Sequence, residues 1–138
     1  MAQKEMLQER ALSIRTSVVR MIHGAGSGHV GGSLGMADIF TALYFHVFDK
    51  SIHTTKEDRD RFILSNGHIC PVWYVALAEA GFLHKDELMT LRQINSKLQG
   101  HPANHDLPLV GNRSPSNNLT VVVFPEPLGP SNPNISPC

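Results

Sequence analysis

Residues 61–71, RFILSNGHICP, decide the fold class. The apolar run at 61–65 follows a charged loop, as a strand entering a sheet does. His68 lies in the tight turn that comes next, Pro71 favours the first turn of a helix, and Gly81 is placed to end that helix. A strand, a tight turn and a helix in this order are typical of α/β proteins. We therefore predict an α/β fold with one clear strand near 61–65.

The same arrangement suggests a function for His68. The N-terminus of a helix presents free backbone N–H groups, which bind anions and phosphates above all. An imidazole in the turn before the helix could donate one more hydrogen bond to a phosphate oxygen. An ordinary strand-turn-helix connection with a surface histidine would have the same spacing, so the pattern alone leaves both interpretations open.

Helical patterns surround this stretch. Residues 4–22 predict an amphipathic helix, and residues 85–94, KDELMTLRQI, predict a short one. Residues 34–48 are apolar nearly all round, which predicts a buried helix with Ser33 as its N-cap. The apolar positions of the first helix are Leu7, Ala11, Ile14, Val18 and Met21 or Ile22. The predicted elements are therefore mostly helical.

Residues 23–35, HGAGSGHVGGSLG, contain six glycines and two histidines. Glycine allows the backbone to approach a ligand closely. The stretch has neither the Gly-Lys-Ser/Thr of a P-loop nor a clean G-x-G-x-x-G after a strand. His29 lies in its middle and is our second candidate site residue, although a flexible connection between two helices is the alternative.

A third histidine motif lies at 98–108, LQGHPANHDLP. His101 is constrained between a glycine and Pro102, and His105 follows four residues later. That spacing would suit a metal pair on a helix, but Pro102 interrupts a continuous helix, so we do not predict a metal site here. An imidazole can donate or accept a proton near neutral pH, which makes His101 a third candidate site residue.

Composition and charge limit the function further. The chain has 138 residues, enough for one modest core, with 12 basic and 12 acidic residues. A balanced charge argues against bulk electrostatic binding to nucleic acid or to an anionic membrane. The N-terminal residues do not resemble a signal peptide, and no apolar run approaches the ~20 residues of a membrane span. We therefore expect a cytoplasmic protein.

The composition changes sharply near Pro108, which predicts two parts, 1–108 and 109–138. The second part has only Arg113 and Glu126 as charges and holds six of the nine prolines. Such a composition favours poorly ordered chain, with one short strand at most at 119–124.

Four segments together resemble a known family, and they are SGHVGGSLGMADIFTALYF, DRDRFILSNGH, LAEAGF and LQGHPANHDLP. In order and spacing they resemble the start of transketolases, and most of all the N-terminal subunit of the split bacterial enzymes, over roughly residues 5–108. The resemblance implies a thiamine-diphosphate-binding fold, a parallel sheet with helices on both faces. It also implies transfer of a two-carbon ketol unit between sugar phosphates, with thiamine diphosphate and Mg²⁺ as cofactors.

The resemblance assigns a role to each candidate histidine. His68 would contact the diphosphate of the cofactor. His29 would face the substrate and bind its hydroxyls or oxyanion, and His101 would bind the terminal hydroxyl of the donor sugar. The glutamate that activates the cofactor would belong to the second domain or, in split enzymes, to the partner chain. The resemblance implies a transketolase C-terminal subunit or a homodimer mate as the partner.

The resemblance stops after Pro108. The Gly-Pro-Leu-Gly-Gln-Gly loop that wraps the cofactor in the family does not follow, and neither do the family's metal-holding residues. We therefore expect a truncated chain that is inactive alone, with residues from about 109 onward derived from a shifted reading frame or a rearranged gene. Two alternatives stay open: a non-catalytic fragment that docks onto a transketolase partner chain, and a phosphate-binding module unrelated to the family.

Overall fold

A computed structural model describes residues 2–48, 62 and 64–102. The elements in this part are the helices α1 (Gln3–Ala25), α2 (Val30–Gly35) and α3 (Ala37–Ala42), a π-helical turn (Leu43–Val47), a 3₁₀ helix (Gly67–Ile69), helix α4 (Cys70–Glu79) and a second 3₁₀ helix (Lys85–Thr90). The proposed tail at 109–138, its strand at 119–124 and His105 lie outside the described residues.

Helix α4 is the centre of the core. Every residue from Cys70 to Ala78 is buried, and both α1 and α3 contact the helix. A helix that is apolar on all sides is stable only when other elements surround it. Pro71 lies in its first turn, and Gly81, with φ of +86°, follows its end, as predicted. The left-handed conformation at Gly81 lets the Phe82 N–H donate to the Leu77 carbonyl at 2.9 Å.

Helix α1 is amphipathic, as the periodicity predicts. Its buried residues are Ala11, Ile14, Val18, Met21 and Ile22, whereas Leu7 is half-buried. The helix ends at Gly26, which has φ of +64° and donates its N–H to the His23 carbonyl at 3.0 Å. The glycine-rich stretch therefore does end this helix.

The prediction of one buried helix over 34–48 was wrong in its start and in its burial. The helical region begins at Val30 and is divided at Met36 between α2 and α3. Ile39 is 41% exposed and Val47 is 58% exposed. The buried apolar residues of α3 are Ala37 and Phe40, and α3 contacts both α1 and α4.

Ser33 is not the N-cap that the sequence predicts. It lies inside α2, is fully buried, and its hydroxyl donates to the Ile69 carbonyl at 3.5 Å. His29 occupies the N-cap position instead. The physical reason is close packing: a Cβ on Gly32 would lie 2.8 Å from Ile69 Cγ2, so the glycines fold into the helix and bring it against the 3₁₀ helix.

The strand predicted at 61–65 is not seen. Phe62, Leu64 and Ser65 form no strand, and residues 61 and 63 lie outside the described residues. Phe62 is buried, with its ring centroid 5.5 Å from those of Phe40 and Trp73. A strand needs a neighbouring strand for its ladder of hydrogen bonds, and residues 2–48, 62 and 64–102 contain none. The described part is therefore mostly helical.

The short helix predicted over 85–94 is a 3₁₀ helix that ends at Thr90. Arg92 and Asn95 follow with φ of +61° and +66°. The Arg92 N–H donates to the Leu98 carbonyl at 2.8 Å and closes the loop that leads to His101. None of the helices in the described ranges is long and apolar enough to cross a membrane.

Glu79 joins the end of α4 to two other elements. Its carboxylate, only 7% exposed, accepts hydrogen bonds from Arg10 at 3.2 Å, Ser13 at 3.0 Å and Lys85 at 3.0 Å. Burial by itself raises the pKa of this carboxyl. The hydrogen bonds from Lys85 and Ser13, with the charges of Lys85 and Arg10, outweigh it and lower the pKa below its usual value.

We expect Glu79→Gln to lower the free energy of unfolding by about 1.5–3 kcal/mol at pH 7, the range for hydrogen bonds to a charged group. Because the folded-state pKa is lowered, the carboxylate stabilises the fold above the unfolded-state value of about 4.3, and the contribution is lost as the pH falls through the folded-state pKa. Urea denaturation of both proteins between pH 7 and pH 3 measures the difference. Glu9→Gln, at an exposed position of α1, is the control. A difference that persists at pH 3 would contradict this account.

Candidate functional site

The three candidate histidines lie together. His29 is the N-cap of α2 and His68 lies in the 3₁₀ helix before α4, and their ring centroids are 5.5 Å apart in an edge-on arrangement. His101 packs against Gly67, where a Cβ would lie 2.8 Å from His101 Cδ2. We call His29, His68 and His101 the histidine cluster. The sequence named all three residues, but the spacing could not show that they meet.

The members of the histidine cluster differ in exposure. His29 and His101 are exposed, whereas His68 is half-buried. His29 and His101 are therefore accessible to a ligand at the surface, and His68 is partly accessible. Imidazoles in such a place can donate hydrogen bonds to hydroxyl, phosphate or carbonyl oxygens and can accept protons from them.

Two glycines allow the histidine cluster to form. A Cβ on Gly67 would meet the His101 ring, and a Cβ on Gly32 would meet Ile69 at 2.8 Å and His68 Nε2 at 4.0 Å. The sequence predicts that glycine lets the backbone approach a ligand. In the structure, the close contacts that these two glycines permit are between segments of the protein itself.

The N-terminus of α4 differs from the anion site that the sequence suggests. The Cys70 N–H bonds to the Gly67 carbonyl, and Pro71 has no N–H to offer. The segment before His101 covers this end, because the Gln99 and Gly100 carbonyl oxygens lie 3.4 and 3.1 Å from Cys70 Sγ. An anion bound here would therefore depend on the imidazole of His68 rather than on these two positions of α4.

Cys70 is a structural thiol in this site. Burial raises its pKa to about 11, although a hydrogen bond with Tyr74 and the charge of Arg92 oppose the shift. The thiol is therefore protonated at neutral pH and can donate a hydrogen bond to the carbonyls above it. The Tyr74 hydroxyl donates to the Gln99 carbonyl at 2.9 Å and fixes the same segment.

Asn66 is a functional candidate that the sequence reasoning missed. Its side-chain oxygen is buried and has no hydrogen-bond partner among the residues that the structure describes. Buried polar atoms are nearly always paired, so an orphan two residues before His68 indicates an acceptor that a ligand can satisfy. The only sequence signal was an asparagine in the turn that carries His68.

The described residues do not form a metal centre. Within residues 2–48, 62 and 64–102, no group of three or more His, Cys, Asp or Glu side chains is placed to hold an ion.

Comparison with known proteins places these features in a family. The family model described as "Transketolase, thiamine diphosphate binding domain" matches residues 6–113. Mouse (Mus musculus) transketolase is 40% identical over 99 residues, which cover 71% of this chain and 16% of the mouse protein. One subunit of the apulose-4-phosphate transketolase of Phocaeicola vulgatus is 37% identical over 101 residues, which cover 72% of this chain and 36% of that protein.

The fold agrees with the sequence comparison. The solved structure of transketolase from Leishmania mexicana superimposes with a TM-score of 0.69 at 35% identity, over 80% of this chain and 16% of the other. The chain thus spans about one sixth of the length of the full transketolases that it matches. The matched segments include the histidine cluster. This chain belongs to the family of transketolase thiamine diphosphate binding domains.

Proposed function

We propose that this chain provides part of the active site of a transketolase, which transfers a two-carbon ketol unit between sugar phosphates. The observation that carries the proposal is that His29, His68 and His101 lie together in a chain of this family. The chain spans 16% of the mouse relative, so the activity of the whole protein is part of the proposal.

His68 is the residue that we propose for cofactor binding. Thiamine diphosphate, when bound, supplies the carbanion stabilisation that ketol transfer needs. The half-buried imidazole of His68 would donate a hydrogen bond to a diphosphate oxygen. The Asn66 oxygen fits the same ligand, because it is a buried acceptor that needs a donor such as an amino group or a hydroxyl.

His29 and His101 are the residues that we propose for the substrate. Both are exposed, so hydroxyl groups of a sugar phosphate can reach them. His29, at the N-cap of α2, would bond the substrate oxygen whose charge changes and move a proton to or from it. His101 would bond the terminal hydroxyl of the donor sugar and orient it.

Magnesium fits the described residues poorly, since they contain no group of metal-ligating side chains. We propose that Mg²⁺ binds through the diphosphate and through ligands outside the described residues. No step of the chemistry assigned to the histidine cluster depends on this ion.

A partner chain is the second part of the proposal. The relative from Phocaeicola vulgatus is named as one subunit of a transketolase, which supports a second subunit for this chain as well. We propose a transketolase C-terminal subunit or a homodimer mate as that partner, with the cytoplasm as the compartment. The isolated chain would then be inactive. The alternative is a non-catalytic fragment that only docks onto the partner, and an assay of ketol transfer after mixing the chain with a transketolase C-terminal subunit distinguishes the two.

The experiment is a calorimetric titration of the full chain with thiamine diphosphate and MgCl₂. We expect saturable binding that His68→Ala weakens about tenfold or more, because a hydrogen bond to a charged group contributes about 1.5–3 kcal/mol. His84→Ala replaces an exposed histidine of another segment and is the matched control. A folded wild-type chain that does not bind, or equal binding by His68→Ala, would refute the assignment.

A further inference from the structure

Arg92 lies between the two exposed members of the histidine cluster. Its Nη1 donates a hydrogen bond of 3.0 Å to the Ser27 hydroxyl, two residues before His29. The same guanidinium lies along Gly100, where a Cβ would be 2.8 Å from Nε and 3.0 Å from Nη2. Gly100 directly precedes His101, so one side chain contacts both segments that carry the exposed histidines.

The backbone holds Arg92 in this place. Its φ of +61° is in the left-handed region, which is uncommon for a residue with a long side chain. Its N–H donates to the Leu98 carbonyl at 2.8 Å. Such a conformation persists only where the surroundings determine it, and it is found most often near functional sites.

Arg92 has no ion-pair partner among the residues that the structure describes. No carboxylate in the described ranges forms a salt bridge with it, whereas Arg10 and Arg15 pair with Glu79 and Asp38. Its contacts are to a hydroxyl and to the backbone of a glycine instead. A planar guanidinium can make both contacts at once, which an ammonium on a flexible stem cannot.

We propose that Arg92 is a positioning residue of the histidine cluster, which bonds Ser27, packs beside Gly100 and so fixes His29 and His101 relative to His68. The contacts carry this inference by themselves. Its effect on substrate affinity rests on the proposed function.

The first test measures the arrangement directly in the full chain. Two nuclear Overhauser effects show whether the histidine cluster is formed in the absence of any ligand. One is between the His29 and His68 rings, and the other is between the His101 ring and the Gly67 Hα atoms. We expect Arg92→Gln to remove or strongly reduce both effects, and Arg92→Lys not to restore them. Arg20→Gln removes the same charge from an exposed position of α1 and is expected to leave both effects unchanged.

The second test is a double-mutant cycle that measures binding of a donor ketose phosphate in the presence of thiamine diphosphate and MgCl₂. We expect Arg92→Gln to weaken binding about three- to tenfold, the range for a lost hydrogen bond. Ser27→Ala should have little further effect once Arg92 is replaced, because the two side chains act through one contact.

The outcomes separate the two proposals. If the wild-type chain shows the Overhauser effects but does not bind thiamine diphosphate, the proposed function is refuted. The role of Arg92 is then decided by the Overhauser effects of its variants. Unchanged Overhauser effects in Arg92→Gln overturn the positioning role. Full restoration of both readouts by Arg92→Lys also overturns it, because charge alone would then suffice.

Discussion

Replacing Gly67 with alanine is expected to weaken binding of a donor ketose phosphate, in the presence of thiamine diphosphate and MgCl₂, by about three- to tenfold while changing the stability of the fold little. The new methyl group would lie 2.8 Å from His101 Cδ2, and carbon atoms do not approach so closely. His101 is exposed, so its ring can turn away into solvent at small cost to the fold. The loss would fall on the site, because a displaced His101 imidazole no longer meets the terminal hydroxyl of the donor sugar.

Calorimetric titration and thermal unfolding of the same protein separate these two effects. Gly31→Ala is the matched control, because a Cβ at Gly31 has no atom within 4 Å and its φ also lies outside the left-handed region. We expect Gly31→Ala to bind as the wild type does. An unaltered affinity in Gly67→Ala would show that the position of His101 does not matter for the ligand.

Replacing Trp73 with alanine is expected to lower the free energy of unfolding by about 3–5 kcal/mol, the range for a large aromatic side chain removed from a core. Trp73 is 1% exposed, its ring centroid is 5.5 Å from that of Phe62, and its indole N–H donates to the Tyr44 hydroxyl at 2.6 Å. The variant leaves a cavity and also removes a partner of Tyr44. Because small domains have only about 5–15 kcal/mol of stability, a large part of the total would be lost.

The measurement is urea denaturation followed by far-ultraviolet circular dichroism, since Trp73 is the only tryptophan and its fluorescence disappears with it. Leu12→Ala, at a position of α1 that is 65% exposed, should change the free energy of unfolding by less than about 0.5 kcal/mol. A cost below about 1 kcal/mol for Trp73→Ala would mean that α4 is not the centre of the core.

Local sequence patterns correctly predicted the features of α1 and α4 that depend on residues close together in the chain. The period of apolar residues predicted α1, and Gly26 ends it because a left-handed residue was needed there. Pro71 and Gly81 marked the two ends of α4 for the same kind of reason. In each case the residue type and the backbone conformation that it permits are enough to decide the structure.

Where tertiary contacts decide, the sequence patterns were wrong or silent. The apolar run with Phe62 has the pattern of a strand, but in the described residues its side chain joins an aromatic cluster with Phe40 and Trp73 instead. Ser33 has the pattern of a helix cap, but packing against Ile69 places it inside α2. No periodicity carries this information, because the partner residues belong to other elements of the chain.

For the histidine cluster too, local motifs indicate the residues, and tertiary contacts decide how they are arranged. Motifs singled out His29, His68 and His101, yet only the fold brings them together. Asn66 and Arg92 were missed, because the signal of the first is an unpaired buried oxygen and that of the second is a contact across 65 residues. Both signals exist only in three dimensions.

The spread of the histidine cluster along the chain has a thermodynamic consequence. Its members come from the start of α2, the turn before α4 and the segment that follows the second 3₁₀ helix, so an unfolded chain has no such site. A ligand that binds only the folded form adds its binding free energy to the free energy of unfolding, about 2.7 kcal/mol when its concentration is about 100 times the Kd. A higher ligand concentration therefore lowers the fraction of unfolded chains. Fewer chains are then available to proteases, so the folded chain lasts longer as the site fills.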